Sequence, residues 1–409
     1  MKRPFLIALS MLMVAAAGCK GITDDPTLII DPVGEPYVIP MSKSEQEINQ
    51  SSNDFGLSLF RTLYSDGQVL VSPLSASLAL SMTAYGARGN TEAQMLSTLG
   101  FSNHSRQEVG EFFKKMVTAL SEADENTAFC TANSIWAQKE LPIKNDFKEG
   151  VSKYYGADVK PADFSSSSII KEINDWCSEK TDGLIKDAAD NMDPSTIMSL
   201  VNALYFKGSW TKSFGTPYDG TFTAIGGSAA NTRMMSLNDK LHYAADGNLM
   251  MVSIPYGKGS FMMDLIMPVK SGADAFADMV KDLDWTTYFN LISSMSPKNV
   301  ALTMPVFKIE YDNDLKDALC TLGMTDAFGS DADFSGISDV ALCISQVIHK
   351  TLIDVNDKGT EAAAVTVVTM RENASVPSET VYFTADRPFV FAIRERTSNA
   401  LLFVGQKVN

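Results

Sequence analysis

Apolar and polar positions alternate in two different rhythms along the chain. Residues 74–99 are rich in Ala, Leu and Met with Pro73 at their head, a pattern that predicts helix. Residues 145–155 and 169–179 carry apolar side chains at helical spacing and predict two more helices. Short apolar or alternating runs at 129–137, 198–206, 250–255, 261–267, 302–308, 389–393 and 401–404 predict strands. Helices gather early and strands late, which is the order of an α+β fold rather than a regular βαβ alternation. Apart from Ser165 to Ser168, no low-complexity block, linker or fixed-period repeat interrupts residues 45–409, so that span predicts a single domain.

Composition narrows the possibilities without naming a function. The 409 residues are 45% hydrophobic and 20% charged, the balance of a globular chain rather than of a disordered, collagenous or multi-span membrane protein. A net charge of -15 repels phosphates and argues against general nucleic-acid binding. There are three histidines, His104, His242 and His349, too few to favour a histidine-based metal centre. The chain has no GxSxG elbow, HExxH helix, Walker loop or GxGxxG following a strand. Asp331-Ala332-Asp333 lacks the EF-hand pattern. The expectation is a protein that is not an enzyme, with no catalytic residue, no metal and no cofactor.

The N-terminus carries chemistry of another kind. Met1-Lys2-Arg3 precedes an apolar run at 5–14, too short for a comfortable membrane span, and the run ends in Ala16-Ala17-Gly18-Cys19. This resembles the lipobox of bacterial lipoproteins. The resemblance implies a signal peptide over 1–18, acylation of Cys19, and a lipid anchor in the cell envelope, at the outer membrane. Residues 19–44, with Pro and Gly, read as a flexible tether. Thr23-Asp24-Asp25 resembles only weakly the acidic export signals of surface lipoproteins, which leaves the outer or periplasmic face open. The remaining cysteines, Cys130, Cys177, Cys320 and Cys343, form no CxxC pair; apolar surroundings predict buried thiols at Cys320 and Cys343.

Near the C-terminus, residues 359–373 open with glycine and small side chains and then become rich in Val and Thr. Positions 360, 362, 364, 366, 368 and 370 read Thr, Ala, Ala, Thr, Val and Met, a set able to face a core if the segment becomes a strand. Composition leaves two readings open: an ordinary surface loop, or a segment that is loop in one state and buried strand in another.

The segment resembles the hinge and reactive loop of the serpins, and ordered motifs extend that resemblance over nearly the whole domain. They include Asn53-Asp54-Phe55, Val71-Ser72-Pro73-Leu74-Ser75, Asn133-Ser134-Ile135-Trp136 and the block from Val201 to Trp210. Pro305-Val306-Phe307-Lys308, Leu322-Gly323-Met324-Thr325, Asp333-Phe334-Ser335-Gly336, His349-Lys350 and Asp386-Arg387-Pro388-Phe389 follow in family order. Within the family, the lipobox and tether most resemble lipoprotein members from Bacteroidetes. The resemblance implies three β-sheets, about nine helices and an exposed reactive loop. It also implies a suicide-substrate mechanism: a target endopeptidase attacks the loop, forms an acyl-enzyme, and is trapped as the loop enters the central sheet.

Site residues follow from the same resemblance. The hinge comprises Asp357, Gly359, Thr360, Glu361, Ala362, Ala363 and Ala364; Ser72, Ser75, Asn202 and His349 match the shutter, and Trp210 the breach. Counting from the hinge glycine places the reactive bond at Asn373-Ala374, with Val367, Val368, Thr369, Met370, Arg371 and Glu372 as alternatives. These side chains suit trypsin-, elastase-, subtilisin- or papain-like targets and a broad specificity. The inward set of the hinge holds no charge and no proline, which favours an inhibitor over a non-inhibitory serpin that binds or chaperones. The expected form is a monomer.

Overall fold

The computed structural model describes residues 37–180, 183, 186, 189, 191–360 and 379–409, with only the backbone of Ala132, Asn202 and Ala203. Helix α1 (Lys43–Leu63) begins at a capping box: the Ser42 hydroxyl accepts from the Glu45 amide, and Glu45 accepts from the Ser42 amide. The globular part starts earlier than the expected end of the tether at residue 44. Ile39 is buried, and its amide donates to Thr397 Oγ1.

Strand β1 (Val69–Val71) leads through Ser72 into α2 (Pro73–Ala84), and α3 (Gly89–Thr98) and α4 (Arg106–Glu122) follow. The single helix predicted over 74–99 is therefore two. The chain turns between them, and Gly89 adopts φ +55°, a region glycine enters without penalty. Next come β2 (Thr127–Gln138), α5 (Asn145–Tyr155), β3 (Asp158–Ala162), α6 (Ile169–Lys180) and β4 (Met198–Ser209). Four strands follow: β5 (Tyr218–Thr223), β6 (Ala229–Ala245), β7 (Leu249–Tyr256) and β8 (Phe261–Pro268). After α7 (Ala273–Asp282) and α8 (Trp285–Ser294), the strand predicted over 302–308 proves to be parts of β9 (Ser296–Pro305) and β10 (Phe307–Asp314), which lie in different sheets. Helix α9 (Lys316–Thr321), β11 (Gln346–Asn356) and the two-residue β12 (Gly359–Thr360) precede β13 (Thr380–Thr384), β14 (Phe389–Glu395) and β15 (Leu401–Lys407).

Hydrogen bonding orders one sheet as β10-β11-β12-β4-β2-β3. The remaining strands form a second network through the 17-residue β6. The start of β6 pairs with β5, its middle with β9, and only His242 to Ala245 with β7. The network thus divides into β5-β6-β9-β13 and β6-β7-β8-β14-β15-β1, two sheets sharing one strand. With nine α-helices among the described residues, this is the α+β architecture of three sheets that the sequence predicts.

The main core lies where β8 and β14, buried along their whole lengths, meet the helices. One charged group is built into it: Arg394 Nε donates to Asp264 Oδ2 at 2.7 Å, and the hydroxyls of Tyr288 and Ser253 donate to the same carboxylate. A second, separate apolar cluster attaches α6 through Ile169, Ile173, Trp176 and Cys177 to Trp136 on β2 and Val201 on β4. The cysteine expectation needs correcting: Cys320 and Cys343 are only half-buried, and the buried thiol is Cys177.

Candidate functional site at the hinge and beneath the central strands

Strands β4 and β11 are parallel neighbours for four residue pairs, from Gln346 opposite Ser199 to His349 opposite Asn202. Beyond that, among the described residues, they no longer pair with each other. At the far end, β12 lies between them, antiparallel to both. Thr360 faces Val355 and Gly208, and Gly359 faces Asn356 and Ser209. The chain reaches this position by a tight turn after β11, in which Asn356 Oδ1 accepts from the Lys358 amide at 2.9 Å.

Gly359 is required by space as well as by angle. Its φ is +150°, and a Cβ there would meet the Gly208 carbonyl oxygen at 2.1 Å and Ser209 Cα at 2.7 Å, both backbone atoms. Thr360 is 1% exposed, and its Oγ1 lies 2.7 Å from the Tyr256 hydroxyl. Tyr256 is fully buried, and burial pushes its phenol well above the ordinary range, so it stays protonated. Its ring stacks on Trp210 with centroids 4.3 Å apart and planes 16° from parallel.

Trp210 fixes the hinge base twice. Its indole N–H donates to the Asn356 carbonyl at 2.8 Å, and its amide donates to the Lys358 carbonyl at 3.0 Å. Asp357 contributes through its backbone, its carbonyl accepting from the Phe214 amide at 2.9 Å. So Asp357, Gly359, Thr360 and Trp210 converge in the structure. Glu361, Ala362, Ala363 and Ala364 lie outside the described residues. So do Val367, Val368, Thr369, Met370, Arg371, Glu372, Asn373 and Ala374, together with Cys19.

The second group sits about 20 Å lower on β11, six residues from Val355 at roughly 3.3 Å each. Strand β11 buries every second residue, and His349 is one of them. The Ser72 amide donates to His349 Nε2 at 3.0 Å. Nε2 therefore carries the lone pair and the ring proton sits on Nδ1. The Ser72 hydroxyl caps α2 by accepting from the Ser75 amide. Burial pushes the His349 pKa down to about 4, so the ring is neutral at pH 7. The structure thus brings Ser72, Ser75 and His349 together, with the Asn202 backbone beside His349.

Sequence reasoning missed three residues of this region. Tyr256 and Asn356 hold the hinge. Thr351, whose Oγ1 donates to the Leu70 carbonyl at 2.9 Å, ties β11 to β1. The alternation Val347, His349, Thr351, Ile353, Val355 was available as a strand signal for β11. For Tyr256 the only local sign is a hydroxyl closing an apolar strand; its partner lies 104 residues away.

A short hinge strand thus lies between two central strands, with a buried Ser–His cluster lower on the same sheet. The family model described as Serpin (serine protease inhibitor) matches residues 50–409, and the chain belongs to that family. Serpin B6 of Macaca fascicularis is 32% identical over 375 residues, covering 87% of this chain and 98% of its own. Among solved structures, the thermophilic serpin tengpin in its native state is similar with a TM-score of 0.81 and 32% identity, over 91% of this chain and 96% of that one. Human thyroxine-binding globulin complexed with thyroxine is similar with a TM-score of 0.81 and 26% identity, over 90% of this chain and 99% of that one.

Proposed function

We propose that the chain is an inhibitory serpin that traps endopeptidases as covalent acyl complexes. The observation that carries this reading is the seating of Gly359 and Thr360 in one register shared with β4 and β11. Continue that register one loop residue forward for each residue back along both strands. Thr366 then falls opposite both His349 and Asn202, and Thr369 opposite both Gln346 and Ser199. These are the pairs that β4 and β11 now make with each other. A loop entering by this route replaces an existing ladder with two new ones, and Ala362, Ala364, Thr366 and Val368 turn inward.

The chemistry belongs to the target. Its nucleophile attacks a loop carbonyl, the peptide nitrogen leaves as the amine of the downstream fragment, and an ester or thioester joins protease to loop. Insertion then carries the protease away from its attack position before water completes hydrolysis. The register bears on which bond is productive. Cleavage after Met370, Arg371, Glu372 or Asn373 leaves enough chain to reach Gln346 and Ser199, whereas cleavage after Val367 or Val368 does not. Asn373-Ala374 remains the nominal bond, and Met370 and Arg371 present side chains to subtilisin- and trypsin-like pockets. The lipobox at Cys19 supports a lipid anchor in a bacterial envelope, facing extracytoplasmic proteases.

The test is to mix the protein with trypsin, elastase, subtilisin or papain and look for an SDS-stable band at the summed mass. Sequencing the released C-terminal fragment identifies the bond. Complete loop cleavage by all four with no such band overturns the reading and leaves a non-inhibitory, binding serpin.

A further inference from the structure

We propose that Tyr256 is a positioning residue for the hinge: its hydroxyl, paired with Thr360 Oγ1, seats the first loop residue in the sheet before any protease arrives. The proposal deepens the inhibitory reading and rests on it for its consequence, though not for its geometry.

The phenol ring has little freedom. Trp210 stacks on one face, and Phe206 meets it edge-on with centroids 5.1 Å apart. Gly208 leaves room for it, since a Cβ at that position would come within 2.9 Å of Tyr256 Cδ1. Among the described residues, the hydroxyl at the end of this fixed ring has one oxygen partner, Thr360 Oγ1 at 2.7 Å. Its other contact is the Met263 sulfur at 3.9 Å, a weak acceptor. Both hydroxyl-bearing residues are buried, so water does not replace the bond if Thr360 withdraws. A hinge that swings out leaves a buried hydroxyl short of a partner, which lowers its population by about 5- to 150-fold.

The topology gives this bond its importance. Tyr256 ends β7, a strand of the shared network, while Thr360 lies in the other sheet. The hydroxyl pair therefore ties the loop's first residue to a strand outside the sheet it enters. Trp210, stacked on the same ring, holds the carbonyls of Asn356 and Lys358 just upstream. One aromatic pair thus fixes both the base of the hinge and its first inserted residue. Insertion after cleavage then extends a strand already begun instead of nucleating one, at the moment when it competes with deacylation.

The experiment compares wild type with Tyr256→Phe, which keeps the ring and its stack, Thr360→Val, which keeps the shape of Thr360, the double variant, and Thr360→Ser. Hydrogen exchange of the peptide containing Gly359 and Thr360 is measured without protease. Stoichiometry of inhibition is measured with whichever protease forms the complex. Exchange is expected to rise at least about fivefold in Tyr256→Phe and Thr360→Val, no further in the double variant, and to return to the wild-type rate in Thr360→Ser. More inhibitor should be consumed per protease trapped in the same three variants. Wild-type exchange in Tyr256→Phe, or additive effects in the double variant, overturns the seating of Thr360 by this pair. Raised exchange with unchanged stoichiometry overturns the positioning role. If the wild type traps no protease, the inhibitory reading and the positioning role fail together, while exchange still decides the seating.

Discussion

Acid should loosen the site at His349, and the effect can be isolated. The folded pKa of about 4 lies below the ordinary histidine value of 6.5. As pH falls below 6.5 the unfolded chain binds a proton that the folded one refuses, so stability falls with pH. Above 6.5 the group contributes nothing to the pH dependence. Between 6.5 and 4 the slope is about 1.4 kcal/mol per pH unit, a total of about 3 kcal/mol. The structural cause is visible: protonating Nε2 removes the acceptor of the Ser72 amide and sets two donors face to face. For a domain of this size 3 kcal/mol corresponds to about 4 °C in the unfolding midpoint. His349→Gln retains an acceptor for Ser72 and does not titrate, while every carboxylate of the protein remains in both forms. Thermal midpoints by circular dichroism, taken in steps from pH 7 to pH 4, should therefore fall about 4 °C further in wild type than in the variant. Parallel curves would refute the assignment of a buried neutral His349.

Thr360→Arg places a guanidinium where 1% of the residue is exposed, an uncompensated burial worth several kcal/mol. The variant should be cleaved in the loop without trapping, and an unchanged stoichiometry of inhibition would count against hinge insertion. Cleavage after any of Met370 to Asn373 should raise the thermal midpoint by about 10 °C or more, because a full central strand adds its ladder bonds and buried side chains; the check is calorimetry on intact and nicked protein. Cys19→Ser should leave the membrane fraction, assayed by fractionating cells, and retention there would remove the lipid anchor. Gly359→Ala should destabilise the seated hinge by about 1–3 kcal/mol or more, since alanine is strained at this backbone angle and a backbone carbonyl stands 2.1 Å from the new methyl carbon; faster exchange of the Asn356–Thr360 segment would register it.

Much of the fold was legible because local pattern and final burial agree. Residues 145–155 have both helical spacing and a helical fate, and 261–267, apolar except for Asp264, form an interior strand. Strand β6 escaped notice because its start is exposed and polar, and its pairing comes from three different partners. The break between α2 and α3 carries a local signal, Gly86 and Gly89 within Tyr85-Gly86-Ala87-Arg88-Gly89-Asn90, which the Ala-, Leu- and Met-rich flanks outweighed; the turn is also held by tertiary contacts, among them the Arg88 amide donating to the Asp333 carbonyl. At the site, Gly359 and Thr360 could be placed by motif and residue size. What grips them was legible only in part: Trp210 was placed by motif, but Tyr256 and Gly208 lie 104 and 152 residues upstream of Thr360, and only the folded chain brings their hydroxyl and empty side chain to the indole.

The small cluster beneath α6 turns one cysteine into a clock. Burial pushes the Cys177 thiol up to about 12, so at neutral pH roughly one thiol in 100,000 is the reactive thiolate, and none of it is exposed to reagent. Because this cluster is separate from the main core, an opening of α6 that leaves the sheets closed would present Cys177 to solvent. Alkylation of that thiol, timed against the half-buried Cys320 and Cys343, would count the excursions of one helix in an otherwise folded molecule.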